Sequence, residues 1–276
     1  MADQEQPYRT PGADMTPSPE QPLRRYAVGE AAKLEYLKCF TFMRAHSRWK
    51  DNLLMATMMG LIIGPGQMAV QGHLFEIIRG LRRAPDPETG DHYPPLKLDR
   101  FSDIMSAGMA PFFVNLLNMV LGYIGMVVFA FIFAVPMILI LFGVLEGYTY
   151  LFDSPPSIGL DIQARVIAVL AMFLGAVAAG MFARPLHLRA GLTGSFANAY
   201  SLRFMWSFVR LTWKEQLKAG LFITIVVPLL IVVSLLPCIV PVYLTLAWTG
   251  YAMAYMDYQL YEIYLARGGE PIPEQS

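Results

Sequence analysis

The sequence predicts an all-α integral membrane bundle with about six transmembrane segments and two amphipathic helices lying at the membrane surface. Three observations carry that reading. Hydrophobic residues make up 55% of the 276-residue chain, charged residues 15%, and mean hydropathy is +0.45; an ordinary soluble domain carries about 25% charged residues. Charge is also absent over long runs. No Asp, Glu, Lys or Arg occurs from Ala219 to Met256, and Glu146 is the only one from Pro111 to Phe152. A bilayer core of about 30 Å takes about 20 apolar residues as helix, and a helix satisfies its own backbone N–H and C=O groups where lipid cannot.

The first 30 residues are polar and carry Pro7, Pro11, Pro17, Pro19 and Pro22, the composition of a disordered tail. The membrane domain then runs over 31–265, and 266–276 form a short polar tail. No secretory signal opens the chain, so the first long apolar run is expected to act as an uncleaved insertion signal. Apolar segments fall at roughly 51–78, 111–134, 136–152, 162–183, 217–236 and 240–262. Pro136 is expected to divide one long region into two spans, Pro237 and Pro241 to separate the last two, and Pro228 to kink the fifth.

Two further stretches have one apolar and one polar face. In 99–108, Phe101, Ile104, Met105 and Gly108 share a side at helical spacing, opposite Asp99, Ser102, Asp103 and Ser106. In 196–218, Arg203, Ser207, Arg210, Lys214 and Lys218 form a basic stripe with aromatic residues around it. Such helices rest among headgroups with their cations toward anionic lipid, so Arg203, Arg210, Lys214 and Lys218 are candidate headgroup contacts.

The segment 51–78 holds Gly64-Pro65-Gly66 near its middle. Its 28 residues rise about 42 Å as helix, enough for one kinked crossing, whereas either half is too short to cross. One crossing places both termini in the cytoplasm and divides Lys and Arg fifteen to six; a reversal at Gly64 gives fourteen to seven. Positive-inside bias favours the single crossing slightly. Each half of the chain then reads span, loop, surface helix, span, span, and 101–116 can be laid on 196–211. A three-span unit repeated once must be inverted, a pattern used by transporters. A competing match pairs Trp49-Lys50 with Trp213-Lys214, and it records a different duplication.

The four histidines fall in separate regions without metal-ligand spacing, and no nucleophile elbow or phosphate loop occurs. Cys39 and Cys238 make no disulfide framework. The expectation is therefore no enzyme, no cofactor and no metal. Net charge is zero, which gives no basis for nucleic-acid binding. The expected partners are the bilayer itself, anionic headgroups, and a protein partner or second copy of the chain. Ionisable residues at membrane depth are costly and functional, which singles out Glu76, Glu146 and Asp257. Arg165 and Glu262 lie near segment ends, where long side chains reach water.

The succession Asn52-Leu53-Leu54, Ile63-Gly64-Pro65, Gly72-His73-Leu74-Phe75-Glu76-Ile77-Ile78-Arg79, then Tyr93-Pro94-Pro95, Phe101-Ser102-Asp103 and Gly108, resembles the bacterial and archaeal membrane family known as domain of unknown function 4013. The ending from Gln259 to Ile272 is similar to the C-termini of its bacterial members. The resemblance spans roughly 35–272, with Phe101 where Trp is expected. It implies a multi-pass helical membrane domain and brings no activity or site residue. The function expected first is a structural or partner-binding component of the cell (inner) membrane; the alternative is a small transporter or lipid-handling protein built from a degenerate inverted repeat.

Overall fold

Between Gly60 and Pro65 the chain reverses, and the base of the molecule is organised around that turn. The computed structural model describes residues 34–84, 92–152, 159–235 and 240–273; the tail over 1–30, most of Pro237's turn and the side chain of Glu146 lie outside them. Within these residues eight α-helices follow in order: α1 (Lys38–Thr41), α2 (Trp49–Gly60), α3 (Pro65–Arg83), α4 (Phe101–Phe152), α5 (Gly159–Thr193), α6 (Phe196–Ala199), α7 (Leu202–Leu235) and α8 (Val240–Ala266). There is no strand among the described residues.

The single crossing expected of 51–78 does not occur. In one straight helix, Asn52 and His73 would stand about 32 Å apart. Instead the Tyr251 hydroxyl donates to the Asn52 carbonyl at 3.2 Å, and the same tyrosine ring lies 5.9 Å from the His73 ring. Gly66 sits directly on the Met59 carbonyl, where a Cβ would collide. Gly64 makes the reversal, with φ at +85°, a backbone region that side-chain-bearing residues enter only with strain. Pro65 then opens α3 at a position whose N–H has no intrahelical partner. The tip of this hairpin is apolar and bare: Leu61, Ile62 and Ile63 are 54%, 53% and 84% exposed.

The expected division at Pro136 is also absent, because α4 runs through both Pro111 and Pro136. Proline removes one backbone hydrogen bond; ending a helix frees four carbonyls, a far larger cost in an apolar surround. The two predicted surface helices are not separate elements either. Residues 101–108 are the first turns of α4, with Ile104 fully buried and Gly108 pressed on the Met68 carbonyl of α3. Residues 196–218 comprise the short α6 and the first half of α7.

Helices α4 and α5 run antiparallel. The Asn118 amide donates to the Ala183 carbonyl at 3.2 Å, and farther out a Cβ at Gly122 would meet Ala179 at 3.6 Å. Helices α7 and α8 form a second antiparallel pair, tied by the Ser234 and Thr245 hydroxyls near one end and by Phe208 against Tyr264 near the other. Both pairs start from the same base. Phe204, at the start of α7, lies under Arg189 at the end of α5, the level from which α4 also rises. The stretches 101–116 and 196–211 therefore enter from one side, an arrangement that does not fit the inverted repeat weighed from the sequence.

The base has a dense core in which Tyr251, Tyr261, Tyr264, Phe75, Phe208 and Met59 are fully buried. Burying each such side chain contributes about 1.5–3 kcal/mol. Beyond the base the pattern inverts: Leu121, Ile124, Phe131, Leu139, Val169 and Val232 all face outward. Among the described residues, three helices are long and apolar enough to cross a membrane, over Leu98–Ile140, Arg165–Thr193 and Leu202–Leu235.

Candidate functional site

Where base and apolar shaft meet, α3, α4, α5 and α8 enclose a cavity of about 330 Å³. Its position follows from the close helix contacts below it. Gly72 and Gly108 bring α3 and α4 together backbone to backbone, and Gly191 admits the Phe75 ring against α5. Small residues permit such approaches between helices where lipid offers no hydrophobic drive. Arg79 of α3 then donates to the Gly191 carbonyl at 2.6 Å and fixes α5 in register.

Arg184 and Asp257 face each other in the cavity wall, Nε to Oδ1 at 3.0 Å, with side chains 13% and 8% exposed. The two are charge-paired, yet the guanidinium N–H is not directed at the carboxylate, and Oδ1 has no hydrogen-bond partner. A buried carboxylate oxygen left without a donor is costly. His187, one turn from Arg184 on α5, meets Gln71 Oε1 of α3 through Nε2 at 3.1 Å, beneath the edge of Phe75. Asn115 completes the polar lining; Leu74, Ile78, Met253 and Ala254 make the rest apolar. A second space of about 310 Å³ shares Gln71 and Asn115 with the first and extends along the α2–α3 hairpin, bordered by Gly60, Val70, Phe112, Tyr243, Leu246 and Ala247. Each space lies at the lower end of the ~300–1,000 Å³ typical of ligand pockets.

Of the ionisable residues singled out from sequence and described in the structure, Asp257 alone lines this cavity. Glu76 belongs to a separate buried cluster in the base, where Arg100 donates to it at 2.6 Å and His73 Nδ1 approaches to 3.7 Å. Burial alone would push the Glu76 carboxyl up, but its neighbours hold it below the usual carboxylate range. At 3.7 Å the histidine is beyond hydrogen-bond reach, so Arg100 is the partner that does so. Burial lowers the His73 pKa, and neither ring nitrogen has a hydrogen-bond partner. Glu262 pairs with Arg82 at 3.5 Å, and the Arg82 guanidinium stands 4.7 Å above the Tyr261 ring.

The basic stripe lies on α7. Arg203 pairs with Glu270 at 3.2 Å in the open, while Arg210, Lys214 and Lys218 are exposed. Trp206 and Trp213 are exposed beside them, with Lys214 over the Trp213 ring at 5.5 Å.

Arg184, His187 and Gln71 escaped notice in the sequence. Arg184 follows the last residue of an apolar segment and reads as the start of a loop. The available signal was helical spacing: Arg184 and His187 are three apart, Gln67 and Gln71 four apart, and each pair shares a helix face. No family model, curated protein or solved structure matches the chain.

Proposed function

We propose that this protein is a multi-pass membrane protein that binds an amphiphile, its polar head at Arg184 and Asp257 and its apolar part along the α2–α3 hairpin. One observation carries the reading: a buried ion pair faces a cavity that shares Gln71 and Asn115 with a second space along the α2–α3 hairpin, beside helices rising into the apolar shaft. Lipid handling is accordingly preferred over the structural or partner-binding reading. The site offers charge pairing and hydrogen bonding but no nucleophile held by a base, so its proposed work is binding rather than bond breaking.

The same reading has α4, α5, α7 and α8 crossing the membrane, with the α2–α3 hairpin dipping in from the base and returning. Among the described residues, every Lys and Arg except Arg165 lies at or on the base side of Lys218. Positive-inside bias then supports a cytoplasmic base, with both termini on that side of the inner membrane.

The test is native mass spectrometry of the full chain, purified with its own lipids, beside Gly180→Leu. Gly180 lines the cavity at an exposed position, and a Cβ there meets nothing within 4 Å, so the helix accepts a side chain at this point and the leucine narrows the cavity. Wild type should retain one amphiphile per chain through delipidation, and Gly180→Leu should lose it. Equal, weak lipid retention by both proteins would end the proposal.

A further inference from the structure

Resting on that reading, we infer that the bound amphiphile has a head of zero net charge carrying both a cationic donor and an anionic acceptor: a zwitterion such as a phosphoethanolamine. Among the described residues, Arg184 and Asp257 are the only acid and base of the Asp, Glu, Lys and Arg types that line the cavity, and their formal charges balance one another. Adding a net anion or cation to a buried, balanced pair leaves one charge uncompensated, which in a low-dielectric site is strongly unfavourable. A zwitterion adds none.

The geometry also assigns an orientation to the head. Asp257 Oδ1 has no hydrogen-bond donor, although the side chain is more than nine-tenths buried. An ammonium supplies that donor directly. Arg184 engages Asp257 through Nε, and a guanidinium carries five N–H donors in a planar fork, which leaves its terminal nitrogens for a phosphate. His187 and Gln71 bond to each other, so they do not compete for the head. The apolar part then leaves past Asn115 into the space between Gly60, Val70 and Leu246. That space borders the hairpin whose tip residues, Leu61 to Ile63, are bare and apolar, as an approach from lipid requires.

Anionic lipid has a different place on the molecule, at the exposed Arg210, Lys214 and Lys218 of α7. The two sites are distinguishable because only the cavity is narrowed by Gly180→Leu.

The experiment exchanges purified full-length protein into equal mixtures of phosphatidylethanolamine, phosphatidylglycerol and diacylglycerol, then reads the tightly retained species by native mass spectrometry. Wild type should retain the ethanolamine lipid over the glycerol phosphate by about tenfold or more, the range of one charge-assisted hydrogen bond. Asp257→Asn leaves Arg184 unbalanced and should invert that preference toward the anionic lipid. The double variant Arg184→Met/Asp257→Leu removes both charges with little change of volume, a replacement that cores tolerate, and should abolish discrimination among the three. Wild type that retains a lipid lost in Gly180→Leu, yet prefers phosphatidylglycerol or diacylglycerol, would overturn the zwitterion assignment while leaving the binding function standing. Wild type that retains nothing would overturn both.

Discussion

Changing Gly66 to Ala distinguishes a reversing chain from a crossing one by the sign of a stability change. In a continuous helix, residues 59 and 66 stand about 10.5 Å apart along the axis. An alanine there would touch nothing and would stabilise the helix by about 0.5–1 kcal/mol through propensity and unfolded-state entropy. In the hairpin, the new Cβ falls well inside contact distance of the Met59 carbonyl, a backbone group with no rotamer to change. Overpacking of this kind costs about 1–3 kcal/mol, occasionally more, so the net change is destabilising by about 1–2 kcal/mol. At roughly 2–4 °C per kcal/mol for a chain of this size, the expected drop in Tm is about 2–8 °C. Gly60→Ala is the control, since a Cβ at Gly60 meets nothing within 4 Å; its Tm should hold or rise slightly. Unfolding can be followed in detergent with a thiol-reactive dye, because Cys39 is 1% exposed and reacts only when the base opens. Cys238 is first replaced by Ser. If Gly66→Ala melts at or above wild type, the hairpin is refuted and a single kinked crossing returns.

Three other outcomes follow from the same packing. His73 is held uncharged by burial, so its folded pKa lies below the unfolded value of about 6.5; its contribution is complete above that pH and lost as pH falls below it. The Tm should therefore decline from about pH 7.5 to about pH 5, and His73→Phe should flatten that decline. Asp257→Ala strands a buried guanidinium and should destabilise by about 3–5 kcal/mol, with recovery on adding Arg184→Met, read as Tm in a double-mutant cycle. Reversing Arg210, Lys214 and Lys218 to Glu should weaken quenching of tryptophan fluorescence by brominated anionic lipids, while brominated zwitterionic lipids quench as before; both Trp206 and Trp213 are exposed beside those cations.

The helical, membrane-spanning character of the chain was legible because it depends on composition and on uninterrupted runs, which a sequence displays directly. The number of crossings was not, since prolines and glycines do not announce whether they bend a helix or end it. Pro136 and Pro228 lie inside helices that continue, whereas Gly64 reverses the chain. The difference is set by tertiary contacts: Gly66 on Met59 and Gly72 on Ile104 hold the reversal, and both are invisible in a linear reading. Asp257 was legible as a charge in an apolar run. Its partner Arg184 stands 73 positions away by number and one guanidinium away in space, and it looked like the boundary of a span because that is also what it is.

The charge distribution acquires its meaning only after these corrections. Counted over six crossings, Lys and Arg divided fifteen to six, a weak bias that left an arginine-rich loop on the wrong side. Fold 51–78 back on itself and carry α4 through Pro136, and Arg79, Arg82, Arg83, Lys97 and Arg100 all join the base. Among described residues only Arg165 then lies out along the shaft. Neither correction alone does this: the reversal without the continuous α4 gave fourteen to seven. That two changes, each made on packing grounds, should together remove nearly every exception to an insertion rule that played no part in them is independent support for four crossings. On the four crossings proposed above, parity also argues against the inverted repeat. Two crossings return a chain to its starting side, so two hairpins rising from one base can be related only by a parallel repeat, with the cavity at Arg184 and Asp257 bordered by α5 of one hairpin and α8 of the other.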